Sequence, residues 1–242
     1  MKVAGPDEPR MATTGATVTE RAEEIPVRRD YKHATRSIAP WFAHKRMIPK
    51  WSGFVLMGAL TLGVRATGQW WIYLLGLAMF FPSEYIVHRG VFHFFADKSA
   101  GKVLSKQHVE HHKRPDDLDY LFNDPRISLT VGLLYFLVCY AITRNLGQSA
   151  ALSFGNFTGL VYYEHVHFAA HRPGSKPWTP WSRFMKKFHL WHHFKHERKW
   201  FGVTSPVFDY AFGSNADQSA VEHSPTVRTL VPTAEQQEWM RK

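Results

Sequence analysis

The sequence predicts an all-α integral membrane protein built on two transmembrane, or deeply embedded, helical hairpins. Three observations predict it. Two long apolar blocks are each broken once by a short polar turn, Lys and Arg avoid those blocks, and twelve of the fifteen histidines gather in four tight clusters beside them.

The polar residues 1–36 mix Thr, Ala, Pro and alternating charge without periodicity, and read as a flexible tail with no visible signal peptide. The domain plan that follows is a polar tail over 1–40, an embedded domain over 41–213 and a polar tail over 214–242. The mean hydropathy of −0.29 averages these polar parts with the apolar blocks and hides them. The first block, from Trp51 to Val87, is interrupted by RATGQ at 65–69, giving helices at about 51–65 and 69–87. The second gives helices at about 127–143 and 149–168, turning at Arg144-Asn145-Leu146-Gly147. Strands are the competing reading, but these segments outrun ordinary strand length. At about 1.5 Å per residue they span roughly 22–28 Å, the lower edge of a hydrocarbon core, so they cross a thinned bilayer or dip in and return. A soluble helical bundle is the competing architecture. Trp51, Trp70, Trp71 and Tyr73 stand near segment ends, where an interfacial aromatic belt forms.

The formal charge of +10 could point to nucleic acid, but no nucleic-acid motif organises the basic residues. Their distribution fits a membrane instead. Residues 1–50 carry ten Lys plus Arg, 88–126 seven and 172–242 eleven, while each hairpin turn carries one, Arg65 or Arg144. The basic parts, with both termini, are therefore expected in the cytoplasm. Every histidine beyond the N-terminal tail then falls on that side. The single cysteine, Cys139, lies in an apolar run; it excludes an internal disulfide and a Cys-based zinc site.

The four clusters are HRGVFH with His88 and His93, HVEHH with His108, His111 and His112, HFAAH with His167 and His171, and HLWHH with His189, His192 and His193. His165 just before HFAAH and His196 just after HLWHH bring the clustered histidines to twelve. On a helix, residues at i, i+3 and i+4 share a face, so each H-x-x-H-H triple presents its imidazoles in one direction. His167 and His171 do the same at i and i+4. His88 and His93 are about 140° apart on an ideal helix, and are expected to reach different metals or straddle a helix end. Imidazole suits iron, zinc, copper and nickel. Ten such nitrogens exceed one structural zinc and imply two ions with about five ligands each. Two bis-histidine haems would need only four axial ligands, a poor match to clustered triples. Glu84 and Glu164, four and three residues before His88 and His167, are expected to accept hydrogen bonds from ligand imidazoles. Glu110 and the Lys186-Lys187 pair read as solvated surface.

The segments EYIVHRGVFH, HVEHHKRPDD, YYEHVHFAAH and above all KKFHLWHHFKHERKWFGVTSPVFDYAFG resemble the fatty acid hydroxylase superfamily, also called the sterol desaturase family. Within it the likeness is greatest to the fatty acid 2-hydroxylases that act on sphingolipid acyl chains, and it runs from about Glu84 to Gly213. The resemblance implies a cytosolic helical cap over the two hairpins and a dimetal site of two iron ions, with zinc as a substitute in purified protein. It implies the ligands His88, His93, His108, His111, His112, His167, His171, His189, His192 and His193. His165 and His196 fall outside its pattern and are read as supporting or surface residues. Where relatives often show two adjacent histidines, His171 is followed by Arg172.

The implied reaction is dioxygen-dependent hydroxylation of a lipid acyl chain held in a buried tunnel lined by aromatics of the second and fourth segments. Sterol desaturation and carotenoid ring hydroxylation are the alternatives within the superfamily. A non-catalytic metal-binding membrane protein and a cytochrome-like electron carrier are the alternatives outside it. The first fifty residues lack the His-Pro-Gly-Gly signature of a fused haem domain, so a separate reductase, ferredoxin or cytochrome is the expected electron donor. The expected location is the cytoplasmic membrane in a bacterium or the endoplasmic reticulum in a eukaryote.

Overall fold

The computed structural model describes residues 35–63, 70–96, 99–227 and 234–241, and among them no strand occurs. Residues 1–34 of the predicted tail and the RATGQ turn therefore lie outside the described residues. The helices are α1 (Ala39–Ala43), α2 (Ile48–Gly63), α3 (Trp70–Tyr85), which continues directly as a π-helical stretch (Ile86–Phe94), α4 (Ser99–Lys113) and α5 (Leu118–Leu121). Then come α6 (Pro125–Thr143), α7 (Leu146–His171), α8 (Pro180–Phe194), α9 (Val207–Ala211) and α10 (Ala234–Arg241).

Local chemistry sets several of these boundaries. Asp124 caps α6 by accepting from the Arg126 amide, with Pro125 at the first helical position, where its missing N–H costs nothing. Arg144 ends α6 in the left-handed conformation, φ 51°, and Asn145 then caps α7 by accepting from Gln148 N at 3.0 Å. The predicted second turn is thus a one-residue reversal followed by a cap. Thr179 and Ser182 form a reciprocal capping box at the start of α8.

α7 is the hub. It takes α2, α3, α6 and α8 as neighbours, and the two arms of the predicted first hairpin each pack chiefly on α7 rather than on one another. Missing side chains make that possible. A Cβ on Gly76 of α3 would stand 2.1 Å from Leu152 O, and one on Gly155 of α7 would stand 2.1 Å from Tyr73 O. Gly159, one turn on, faces the Phe80 ring, so a small-x-x-x-small stripe lets the two backbones touch. On another face of α7, Gly53 of α2 and Gly132 of α6 leave room for the Phe157 ring.

Two stretches, Trp70–Phe94 and Leu118–Thr143, are long and apolar enough to cross a membrane. Their outer faces stay uncovered: Val131, Leu134, Val138 and Ile142 of α6 and Leu74 and Leu75 of α3 are exposed. α7, though 26 residues long, is mostly enclosed by the other helices. Beyond residue 213 the chain still packs: Val227 joins Leu190 and Phe194 in a small core against which Trp239 and Met240 of α10 rest. Lys186, expected at the surface, is instead buried; it donates to Ser175 O at 2.9 Å and lies against the Trp239 ring.

The glycine stripe gives a test. Gly155→Val should cost about 3 kcal/mol or more by forcing α3 and α7 apart, whereas Gly63→Ala, with nothing within 4 Å of its Cβ, should stay within about 0.5 kcal/mol. Thermal unfolding in detergent compares the two; equal effects would remove the close-approach account.

Candidate metal centre

The ten clustered histidines meet at one end of this bundle, where the π-helical stretch, α4, α7 and α8 converge. They sort into two groups whose ring nitrogens lie within 4.8 Å of one another, each able to hold a metal ion. The first contains His88, His93, His108, His112 and His192; the second contains His111, His167, His171, His189 and His193. The groups adjoin, with the His112 and His193 rings stacked at 4.1 Å.

Two expectations change here. His88 and His93 serve the same group, not different ones, with ring centroids 5.1 Å apart. The cause is the π-helical stretch, which closes i to i+5 hydrogen bonds, as in Phe95 N to Gly90 O at 2.8 Å, and so stacks residues five apart. Each H-x-x-H-H triple also divides. The i, i+4 pair of α4, His108 and His112, joins the first group while His111 joins the second; in α8, His189 and His193 join the second while His192 joins the first. Positions i+3 and i+4 differ by about 100° around an α-helix, enough for one triple to face two adjacent centres. Each group is therefore two same-face pairs plus one imidazole lent by a neighbouring triple.

The donor chemistry fits a cation. His88 Nδ1 lies 2.5 Å from Phe201 O and His192 Nδ1 lies 2.8 Å from Lys199 O. Carbonyl oxygens only accept, so both Nδ1 atoms carry the proton and both Nε2 atoms present lone pairs. His108 Nε2 lies 3.2, 2.9 and 3.0 Å from the Nε2 atoms of His88, His93 and His112. A ring nitrogen has one in-plane position, filled by a proton or a lone pair, so these contacts cannot all be hydrogen bonds. In the second group, both ring nitrogens of fully buried His193 lack a hydrogen-bond partner. Burial first, then mutual repulsion, pushes His108, His111, His189 and His193 of α4 and α8 well below the ordinary histidine range. Burial takes His112 down to about 3. Neutral imidazoles converging in a buried pocket form a nitrogen donor set that suits a transition-metal ion.

The remaining predicted residues lie elsewhere. Glu84 accepts from the Val203 and Thr204 amides and the Thr204 hydroxyl, and from no imidazole. Glu164 forms a wholly buried ion pair with Lys50, a residue counted among the cytoplasmic charges. Glu110 pairs at the surface with Lys113 and Arg114. His165 sits edge-on to Trp41 at 4.8 Å, and His196 accepts from the Arg198 amide at 3.2 Å; neither joins a group. The sequence reading missed Asp209, wholly buried and bonded to the Phe201 and Gly202 amides at 2.7 Å each. Its position inside DYAFG was the available signal. The Lys199 and Phe201 carbonyls, being main chain, left none.

An apolar cavity abuts the first group. His88 and His108 line it together with Phe80 of α3, Phe92 of the π-helical stretch, and Phe157 and Tyr163 of α7. Aromatics of the second and fourth segments were expected; Ile127 and Val131 show that α6 builds a wall as well.

Among the described residues, the structure is an all-helical bundle with two adjoining five-imidazole groups that could each hold a metal ion, one of them beside an apolar cavity. The family model described as fatty acid hydroxylase matches residues 70–214, which include all ten histidines, and the chain belongs to that family. It is 31% identical over 144 residues to the dihydroceramide fatty acyl 2-hydroxylase FAH1 of Arabidopsis thaliana, covering 59% of this chain and 60% of that protein. It is 28% identical to the fatty acid 2-hydroxylase of Homo sapiens, over 58% of this chain and 38% of the human one. The chain thus spans less than two thirds of the length of each of these relatives. The solved structure of full-length Scs7p, with only its hydroxylase domain visible, superposes with a TM-score of 0.63 at 25% identity, covering 76% of this chain and 69% of that one.

Acid should expose the buried imidazoles. In the unfolded chain histidine titrates near 6.5, above the folded values, so between the two the unfolded state binds more protons. Stability of the metal-free protein should be flat above about pH 7 and fall as pH drops to about 5, by up to roughly 1.4 kcal/mol per histidine per pH unit. Thermal unfolding of chelator-treated protein across that range measures it. An unchanged midpoint would count against neutral buried histidines.

Proposed function

We propose that the chain is a membrane-bound di-iron monooxygenase that hydroxylates a lipid acyl chain, in the manner of a fatty acid 2-hydroxylase. The observation carrying this reading is the meeting of the five-histidine group His88, His93, His108, His112 and His192 with the apolar cavity between α3, α6 and α7. One iron would be held by that group and the other by His111, His167, His171, His189 and His193; zinc can replace them in purified protein. Bound iron supplies dioxygen activation, inserting one oxygen atom into a C–H bond while two electrons and two protons carry the other to water.

The chain's own residues do the rest. Phe80, Phe92, Phe157 and Tyr163 bind and align the acyl chain and keep water out. His88 and His108 stand where the cavity meets the first group, so the carbon to be attacked is presented there. The relatives' names, dihydroceramide fatty acyl 2-hydroxylase and fatty acid 2-hydroxylase, support a ceramide-type or free acyl substrate. The uncovered apolar faces of α3 and α6 support embedding of a domain over 41–213 in a membrane, with the basic termini on the cytoplasmic side. The electrons would come from a reductase, ferredoxin or cytochrome.

The test is expression in a host lacking the activity, with untargeted lipid mass spectrometry of wild type and His192→Ala. Wild type should yield an acyl product heavier by one oxygen atom. The variant should reduce it at least about 100-fold and drop the metal content from two ions per chain to one. A product lighter by two hydrogens would move the chain to the desaturase outcome. Identical lipids in both would overturn the oxygenase reading.

A further inference from the structure

The carbonyls that orient His88 and His192 belong to one short strap, Lys199–Thr204. Its four successive amides, Phe201 to Thr204, are all captured by carboxylates. Asp209 takes those of Phe201 and Gly202 at 2.7 Å each; Glu84 takes those of Val203 and Thr204, plus the Thr204 hydroxyl. Both carboxylates are buried. Between the two orienting carbonyls stands Trp200 at φ 55°, a conformation costly for a bulky residue and sustained only where the surroundings enforce it. The enforcement is visible: Trp200 donates its amide to Ser214 O at 3.1 Å and its indole to Ala216 O at 3.1 Å. Gly202 admits no other residue, since a Cβ would meet Ser205 O at 2.0 Å and the Asp209 carboxylate at 2.9 Å. A surface loop of six residues does not need two buried carboxylates and a strained tryptophan to persist.

We infer that Asp209 is a positioning residue for the first histidine group: with Glu84 it fixes the strap so that His88 and His192 keep Nδ1 protonated and aim Nε2 at the metal. The inference rests on the reading that this group holds a metal. Asp209 touches no histidine; it acts through the Phe201 and Lys199 carbonyls. Asp209→Asn places an amide NH2 where an acceptor oxygen faced a main-chain N–H, leaving a buried donor unmet with little change in volume.

The experiment loads purified wild type, Asp209→Asn and Glu84→Gln with iron(II), or cobalt(II) as a spectroscopic stand-in. Each is then challenged with excess chelator, and metal per chain is followed by mass spectrometry alongside helical content by circular dichroism. Wild type should release two ions slowly. Each variant should release one ion about 10–100-fold faster and keep the other at the wild-type rate with helicity unchanged. Release of both ions together with loss of helicity, or two wild-type rates, would overturn the inference while leaving the two-metal reading intact. Wild type that binds no metal would overturn both.

Discussion

Ten neutral imidazoles share one dry pocket, and together they cannot satisfy their own nitrogens. His108 Nε2 alone faces three other ring nitrogens at 3.2 Å or less. Protonating the rings would relieve the lone-pair crowding, but at the cost of several charges buried side by side. Apolar packing does not relieve it at all. A shared cation does, because each lone pair then points at positive charge. The nearby structure is organised around meeting that demand: rings are held by main-chain carbonyls, helices approach until only glycine fits, and a helix is locally rewound.

The rewinding shows how strict the demand is. An α-helical continuation of α3 would have sent His88 and His93 to different sides. Converting Ile86–Phe94 to π-helix departs from the ordinary helical repeat, yet it brings both rings into one group. α7 meets the same demand from below. Its Gly155 and Gly159 let α3 lie against it, so that the π-helical stretch above α3 and His167 and His171 at the end of α7 arrive side by side. Packing at mid-bundle therefore sets geometry at its end.

Much of this was legible in the residues. The second hairpin turn was readable because Arg144 and Asn145 carry their own chemistry, a left-handed residue followed by a cap. The ten histidines were readable because i, i+3 and i+4 spacing is intrinsic to a helix. Their division between two groups was not, since it depends on how four helices are rotated about one another. Nor was the π-helix, whose HRGVFH sequence obeys no known spacing rule for that geometry. The hydrogen-bond partners of Glu84 and Glu164 differ from the expected imidazoles for the opposite reason. Proximity along the chain to His88 and His167 suggested partners, whereas the true partners, Thr204 and Lys50, are more than a hundred residues away in sequence. Sequence distance is a guide within a helix and none across the bundle.

The two groups are alike in composition but not in surroundings. All five members of the second are buried, whereas His93 and His112 of the first are only partly so, and the cavity touches the first alone. That asymmetry bears on selectivity. A hydrocarbon chain leaving a bilayer for an apolar cavity exchanges one oily environment for another, so burying it supplies little net free energy. If the cavity takes a lipid, as proposed above, discrimination between lipids would come from shape and from the polar minority of the lining. Shape is set by the aromatic walls and by Gly132, whose missing side chain leaves space beside Phe157. The polar minority is Ser83 and Glu84 of α3, Gln107 of α4, Asn123 and Asp124 just before α6, Ser128 of α6 and Asn156 of α7, together with His88 and His108. A polar head sitting among these groups would fix how far the chain descends, and so which carbon lies against His88 and His108. On the function proposed above, the position of attack would follow from where this polar lining lies along the cavity as well as from the histidines themselves.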